Sequence, residues 1–457
     1  MIKNRVQLIG NGSNDLFRRL RSDVCDIFES ALGAVDPEQA IYNALKMDAG
    51  ILCFEGGSID LATVDHVYVI GGGKAGGLMA RAIEVLLGGR IESGVVNVLE
   101  GTEGAVSLDH VCLNGASHPV PSQGGVVGVQ QMLELTDGLS EDDLVIALIS
   151  GGGSSLMPFP AGCIDLDDLR EITGKLLRAG ATINELNAVR KHLSAFKGGQ
   201  LARHCSPASV LGLILSDVIG DPLDTIASGP TAPDDSTYAD ALGVLKKYGL
   251  FVDAPEPVKS RIRAGVSGEL PDTPKMGDPI FKRVHNVLVA NNSIAAEAAK
   301  EKAEALGYNS MVLTTSIEGE ARDVGTYVSG MAKEVIDYER PQRKPAAIII
   351  GGETTVTVNG SGVGGRNQEL ALGAALILDR VSCLVATLGT DGIDGPTVAA
   401  GAIVDGYTLQ RSIELGLDAG KFLSENDSYR FFEKLGDCII TGPTGTNVND
   451  LSLILVR

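Results

Sequence analysis

The stretch Val69-Ile70-Gly71-Gly72-Gly73-Lys74-Ala75-Gly76-Gly77 decides the architecture. An apolar run enters a glycine cluster, and an amphipathic segment, Lys74–Leu87, leaves it. That order is strand, tight loop, helix, with the G-x-G-x-x-G spacing of a dinucleotide-type βαβ unit. Glu100, after the next apolar run, extends the match, so an oxidoreductase stays open on this segment. Lys74 is out of place in that fingerprint. A cation at a helix start opposes the positive helix end unless an anion joins it, which makes Lys74 a candidate phosphate or carboxylate ligand. Ala75 stands where a P-loop needs Ser or Thr.

Outward from this loop, the same grammar repeats. Strand Leu144–Ile149 runs into Ser150-Gly151-Gly152-Gly153-Ser154-Ser155, whose amides and hydroxyls could cradle a phosphate. Strand Val210–Leu215 runs into Ser216-Asp217-Val218-Ile219-Gly220-Asp221, with carboxylates suited to Mg²⁺. Helices are expected through Leu166–Leu177 and Leu186–Arg203. The second spans Asn187, Arg190, Lys191 and His192, with Asn187 and Lys191 on one face. A Pro-rich break between Phe251 and Pro279 reads as a domain crossing. Beyond it, strand–helix alternation restarts at Val287. Ala346–Ile350 and Thr354–Val358 are too close for an intervening helix and predict a hairpin-like or mixed-sheet pair around Gly351-Gly352-Glu353. Arg366 opens a helix after Gly364-Gly365 as Lys74 does after its loop. Asp391, in Gly389–Pro396, repeats the carboxylate-at-strand-end pattern. Thr444–Asp450, with Asn447 and Asn449, forms a donor-rich loop.

The pattern predicts an α/β fold of two α/β/α domains. One is a Rossmann-like parallel-sheet domain over 1–278, the other a smaller mixed-sheet domain over 279–457, with an interdomain cleft. Two amphipathic helices precede the first sheet, the second opening at Asp36-Pro37.

Composition narrows the function. The 457 residues include 58 glycines, well above the usual share of about 7%. The net charge of −20 and the lack of a basic run argue against nucleic-acid and anionic-membrane partners. Aromatic residues are 4%, too few for base-stacking platforms. Seven scattered cysteines without a Cys-x-x-Cys pair, and no visible signal segment, point to a cytoplasmic chain. Six dispersed histidines suit no zinc site. What remains is anion cradles, cations and carboxylates, the parts phosphoryl transfer needs.

Eight motifs occur in an order that resembles the class II glycerate 2-kinases with a C-terminal MOFRL domain. They are Ile70–Ala75, Ser117-His118-Pro119-Val120-Pro121, Ser150–Ser155, Asn187–Gly199, Ser216-Asp217-Val218 with Ser228-Gly229-Pro230-Thr231, Gly364–Glu369, Gly389–Pro396 and Thr444–Asp450. The resemblance covers nearly the whole chain. It implies ATP- and Mg²⁺-dependent phosphorylation of D-glycerate at its 2-hydroxyl, with ATP and glycerate as small-molecule partners; a homodimer is left open. The family's key cation positions match Lys74 and Arg366; beside them Asp217 is a catalytic candidate, and Ser117, His118, Asn187, Arg190 and Lys191 are candidates for substrate contact. Nucleotide contacts would come from Gly72, Gly73, Gly151, Gly152, Gly153, Ser154, Ser155, Asn447 and Asn449, and metal contacts from Asp217 and Asp391. A hydroxypyruvate reductase using NAD(P)H and a non-catalytic nucleotide sensor are the alternatives.

Overall fold

A computed structural model describes residues 1–457. The chain divides into two compact units: Pro37–Val289, and Met1–Asp36 together with Ala290–Arg457. This division differs from the expected 1–278 and 279–457 at both ends. Contiguous motif reading could not see that the first 36 residues pack with the second sheet rather than the first.

In the Pro37–Val289 unit, a small antiparallel sheet of β1 (Lys46–Asp48), β2 (Ile51–Phe54) and β3 (Gly57–Asp60) comes first. The main sheet contains β4 (Val67–Gly72), β5 (Ile91–Leu99), β6 (Val111–Ala116), β7 (Leu144–Ile149), β8 (Ser209–Leu215) and β9 (Val284–Ala290). Its order is β6-β5-β4-β7-β8-β9, and the pairs from β6 through β8 are parallel. Every residue of β7 is buried, which explains its unbroken apolar run, since a central parallel strand is covered on both faces. The order reverses between β4 and β7. Ligands of such sheets bind at the carboxyl ends of strands flanking that reversal.

Glycine backbone shapes this edge and a helix break further on. Gly73 holds φ 149°, and a Cβ there would collide with the Ser150 hydroxyl, so the β4 and β7 loops pack backbone to backbone. Further on, the expected helix Leu186–Arg203 is two helices, Ile183–His192 and Gln200–Cys205. Gly198 (φ 58°) and Gly199 (φ 76°) break it by taking left-handed backbone. The first helix starts where Thr182 and Glu185 form a capping box.

The other unit is built on β10 (Asn309–Ile317), β11 (Ala346–Gly352), β12 (Cys383–Gly389), β13 (Gly401–Asp405), β14 (Cys438–Ile439) and β15 (Asp450–Val456). Its order is β10-β11-β15-β12-β13-β14, parallel only between β10 and β11. The expected hairpin-like or mixed-sheet pairing of 346–350 with 354–358 does not form. β11 pairs instead with β10 and β15, and Thr355 makes only an isolated bridge to Glu320. The last strand in sequence is thus central in space.

The helix Asp15–Ala34 belongs to this unit and buries Phe17, Leu20, Val24, Ile27 and Phe28. Its Arg21 is fully buried and donates to Asp405 Oδ2 at 2.7 Å and Asp437 Oδ1 at 2.6 Å. Asp23 accepts from Tyr308 Oη at 2.6 Å. Two buried carboxylates on β13 and beside β14 therefore receive their cation from the N-terminal helix. Removing one partner of such a set leaves charge uncompensated, at a cost of about 3–5 kcal/mol. No helix of the chain is long and apolar enough to cross a membrane.

Candidate active site

The β4 and β7 loops meet at the sheet reversal of the Pro37–Val289 unit. Lys74 N donates to Gly151 O at 2.9 Å, Ala75 N to Ser150 Oγ at 3.2 Å, and Ser150 N to Gly72 O at 3.3 Å. The exposed Lys74 side chain lies across Gly152: a Cβ on that glycine would stand 3.3–3.4 Å from Lys74 Cγ and Cε and 3.1 Å from His118 Cδ2. On the adjacent strand end, the Asp217 carboxylate occupies the space a Gly151 side chain would need. A side chain at 151 would displace the Asp217 carboxylate, and Gly152 holds left-handed backbone (φ 79°) beneath Lys74 and His118.

Charges in this cluster act on one another. Burial pushes the His118 imidazole below its ordinary value, and the Lys74 ammonium adds to the effect. Burial pushes Asp217 up, opposed by a backbone hydrogen bond and by Lys74. A neutral imidazole and a cation beside a half-buried carboxylate form a site able to accept an anion and to orient a hydroxyl.

The Ser150–Ser155 loop is more closed than its sequence suggests. Gly153 N donates to Ser150 O and Ser155 N to Gly152 O, each at 3.0 Å, so these amides hold the turn. Ser155 Oγ donates to Pro119 O at 2.8 Å. Ser228 Oγ donates to Asn187 Oδ1 at 3.0 Å; its single proton being spent, Ser154 Oγ must donate to Ser228 Oγ, also at 3.0 Å. Ser228 (φ 62°) and Ala227 (φ 50°) keep left-handed backbone to reach this position. Asn187 Nδ2 is buried without a hydrogen-bond partner.

The basic segment splits in two. Lys191 is buried and donates to Asp224 Oδ2 at 2.8 Å and Asp234 Oδ1 at 3.2 Å, so its charge is already matched. The i,i+4 neighbours Asn187 and Lys191 do not act as one ligand face: Lys191 belongs to a buried ion-pair set. Arg190 instead faces a pocket of about 130 Å³, lined also by Pro119, Ser154, Leu169, Leu177 and Lys197. Burial pushes the Arg190 guanidinium down. Lys197 Nζ donates to Ser154 O at 2.8 Å and Met157 O at 3.0 Å. Burial, and secondarily Arg190, push that ammonium down to about 7. Lys197 and Ser228 were missing from the residues the sequence singled out for roles. The signal for Lys197 was a lysine wedged between Phe196 and the helix-breaking Gly198-Gly199. The Ser117 hydroxyl donates to Glu100 Oε2 at 2.9 Å.

The second unit has its own strand-end cluster. Arg366 Nε donates to Asp450 Oδ2 at 2.6 Å, and its terminal nitrogen lies 2.6 Å from Glu353 Oε1. The anion position at the start of helix Arg366–Ala375 is filled by Asp394, which accepts from Asn367 N at 3.0 Å and Gln368 N at 2.8 Å. Burial pushes Asp394 up to about 6, although those bonds favour its charged form. Asn449 Nδ2 donates to Glu353 Oε2 at 2.8 Å, and Asn447 Oδ1 accepts from Asn449 N at 3.1 Å. Asp391 Oδ1 accepts from Ile393 N at 3.0 Å. A Cβ on Gly389 would stand 3.3 Å from Asp391 Oδ1 and 3.4 Å from Asp450 Oδ1, which places both carboxylates at the end of β12.

Residues 23–263 match the family described as "Domain of unknown function (DUF4147)", and residues 346–450 match the MOFRL family. A glycerate 2-kinase of Pyrococcus horikoshii is 41% identical over 427 residues, 93% of this chain and 95% of that protein. An Agrobacterium vitis relative with a provisional hydroxypyruvate reductase name is 41% identical, covering 94% of this chain and 93% of its own. A crystal structure of a glycerate kinase from Thermotoga maritima superposes with a TM-score of 0.87 at 41% identity, over 96% of this chain and 100% of that one.

Proposed function

The chain belongs to the glycerate kinase family that joins a DUF4147 region to a MOFRL region, and from that premise we propose that it transfers the γ-phosphoryl group of ATP to the 2-hydroxyl of D-glycerate, giving 2-phosphoglycerate and ADP. One observation carries the mechanism: the Lys74 side chain lies over Gly152, beside His118, with its charge felt by Asp217, at the sheet reversal. Phosphoryl transfer asks of a protein mainly positioning and charge neutralisation. Lys74 neutralises the moving phosphoryl group. Asp217, pushed up by burial, accepts the hydrogen bond of the attacking 2-hydroxyl and orients it. His118, held neutral, adds no competing charge. Arg190 takes the glycerate carboxylate, a bidentate match for a guanidinium without a carboxylate partner of its own.

Mg²⁺ fits the donor chemistry present. No group of three or more His, Cys, Asp or Glu gathers as a metal cage, whereas Mg²⁺ with a nucleotide needs one or two carboxylates and completes its shell with phosphate and water. Asp217, and Asp391 in its own unit, are each suited to hold it. When bound, the ion offsets negative charge on the phosphate oxygens. Arg366, bonded to Asp450 and Glu353, ties the start of β15 to the residue after β11, beside Asn449.

A coupled assay for ADP with D-glycerate, ATP and Mg²⁺, with the product resolved as 2- or 3-phosphoglycerate, tests the reading. No ADP above background, together with NADH or NADPH oxidation by hydroxypyruvate, would replace it with the reductase.

A further inference from the structure

Arg190 and Lys197 share one pocket, and neither has a carboxylate partner. Their neighbours differ. Lys191 is matched by Asp224 and Asp234, and His192 Nε2 lies 2.8 Å from Asp272 Oδ1. The remaining charged group on the wall, Arg170, comes from helix Leu166–Arg178. It donates to Pro121 O at 2.6 and 2.8 Å and to Asp167 Oδ1 at 2.7 Å. A buried ammonium beside a half-buried guanidinium, neither with a counter-charge, is unfavourable until an anion joins them. Lys197 cannot swing away, because the carbonyls of Ser154 and Met157 hold it.

Hydrocarbon from Pro119, Pro121, Pro158, Leu169 and Leu177 makes up most of the remaining wall, with the hydroxyl residues Ser154, Thr173 and Ser194 between. Glycerate, with hydroxyls on both carbons beyond its carboxylate, leaves that surface unused. Resting on the reading that Arg190 takes the glycerate carboxylate, we infer that this pocket also binds aliphatic monocarboxylates bulkier than glycerate, with the carboxylate on Arg190 and Lys197 and the hydrocarbon on Leu169 and Leu177, in competition with glycerate. Each methylene placed on that wall strengthens binding about fourfold. Neutral isosteres gain nothing from the cations and are excluded.

The probes are isocaproate and its uncharged amide, applied to the full chain by calorimetry and in glycerate turnover. Isocaproate binds, raises the KM for glycerate and leaves kcat unchanged; the amide does neither. Arg190→Met and Arg190→Gln each weaken isocaproate at least tenfold, with thermal unfolding reporting that the fold is kept. At pH 8 binding takes up protons, read from heats in buffers of different ionisation enthalpy, because an anion raises the ammonium that burial had pushed to about 7. Lys197→Met abolishes that uptake. Normal glycerate turnover with no isocaproate binding, or with binding unchanged in both Arg190 variants, overturns the pocket and leaves the kinase standing. Absent turnover with isocaproate binding that Arg190→Met removes does the reverse: the kinase reading falls, and the carboxylate pocket remains.

Discussion

Arg366 grips Asp450 with two hydrogen bonds, Nε to Oδ2 at 2.6 Å and a terminal nitrogen to Oδ1 at 3.0 Å. This is the fork-on-carboxylate geometry that a sequence reading would have reserved for substrate. Asp450 is buried at the start of β15, where burial pushes it up and Arg366 pulls it back. A guanidinium so held, with Glu353 on its other side, supports a carboxylate-lined loop before it offers charge to an anion.

Arg366→Met is therefore expected to destabilise the fold by about 2 kcal/mol, less than for a fully enclosed pair because the guanidinium is partly open to water. Adding Asp450→Asn should recover most of that loss, since the stranded charge goes too. Urea midpoints of the two single variants and the double variant check this. An additive double variant would mean that the two residues act independently.

Lys74 has the opposite signature, an exposed side chain lying across Gly152 rather than a buried ion pair. Lys74→Ala should leave the unfolding free energy within about 0.5 kcal/mol of wild type. It should lower kcat by about 10²–10³, the usual effect of removing one preorganised charge from a transition state. Steady-state kinetics beside circular dichroism separates the two effects.

Gly151 and Asp217 are coupled through space, since the carboxylate lies where a methyl group at 151 would go. Gly151→Ala should displace Asp217 and reduce kcat more than it changes the KM for ATP. In an Asp217→Asn background the same substitution should add little, because neighbours in one contact are not additive. A complete double-mutant cycle in kcat measures the coupling, and strict additivity would remove Asp217 from the chemistry.

Asp394 makes stability depend on acid in an uncommon direction. Its folded-state value, about 6, lies above that of an unfolded aspartate, so between about pH 4 and pH 6 the folded state holds the proton more tightly. Stability should fall as pH rises through that window and level off above it, with a total change of about 1–3 kcal/mol. Chemical denaturation at pH 4.5 and pH 7 reads the slope. Asp394→Asn should flatten it.

The sequence was most legible where a single strand and its own loop carry the signal. Val67–Gly72 and Leu144–Ile149 are apolar throughout because both faces of a central parallel strand are covered, and the glycines after them mark loops that pack closely. Lys74 and Asp217 could be placed at strand ends from their neighbours alone. Pairings between distant segments could not. Nothing in Ala346–Ile350 says that its partner is Asp450–Val456 rather than Thr354–Val358. Nothing in Asp15–Ala34 says that Arg21 will neutralise Asp405 and Asp437.

Local order, strand ends and the glycine loops were thus determined by the sequence itself, because hydrophobic periodicity and backbone sterics act over a few residues. The fate of each charge was decided by tertiary structure, because it depends on which carboxylate folding brings within hydrogen-bond reach. Adjacent in the chain, Lys191 is consumed by Asp224 and Asp234 while Arg190 faces a pocket without a counter-ion. Arg366 opens its helix, whereas Lys74, expected to open one, sits in the turn before helix Gly76–Leu87; both follow glycine loops, yet only Arg366 meets Asp450 and Glu353. A charge's identity is written in the chain, but its availability is set by burial and by its neighbours in space.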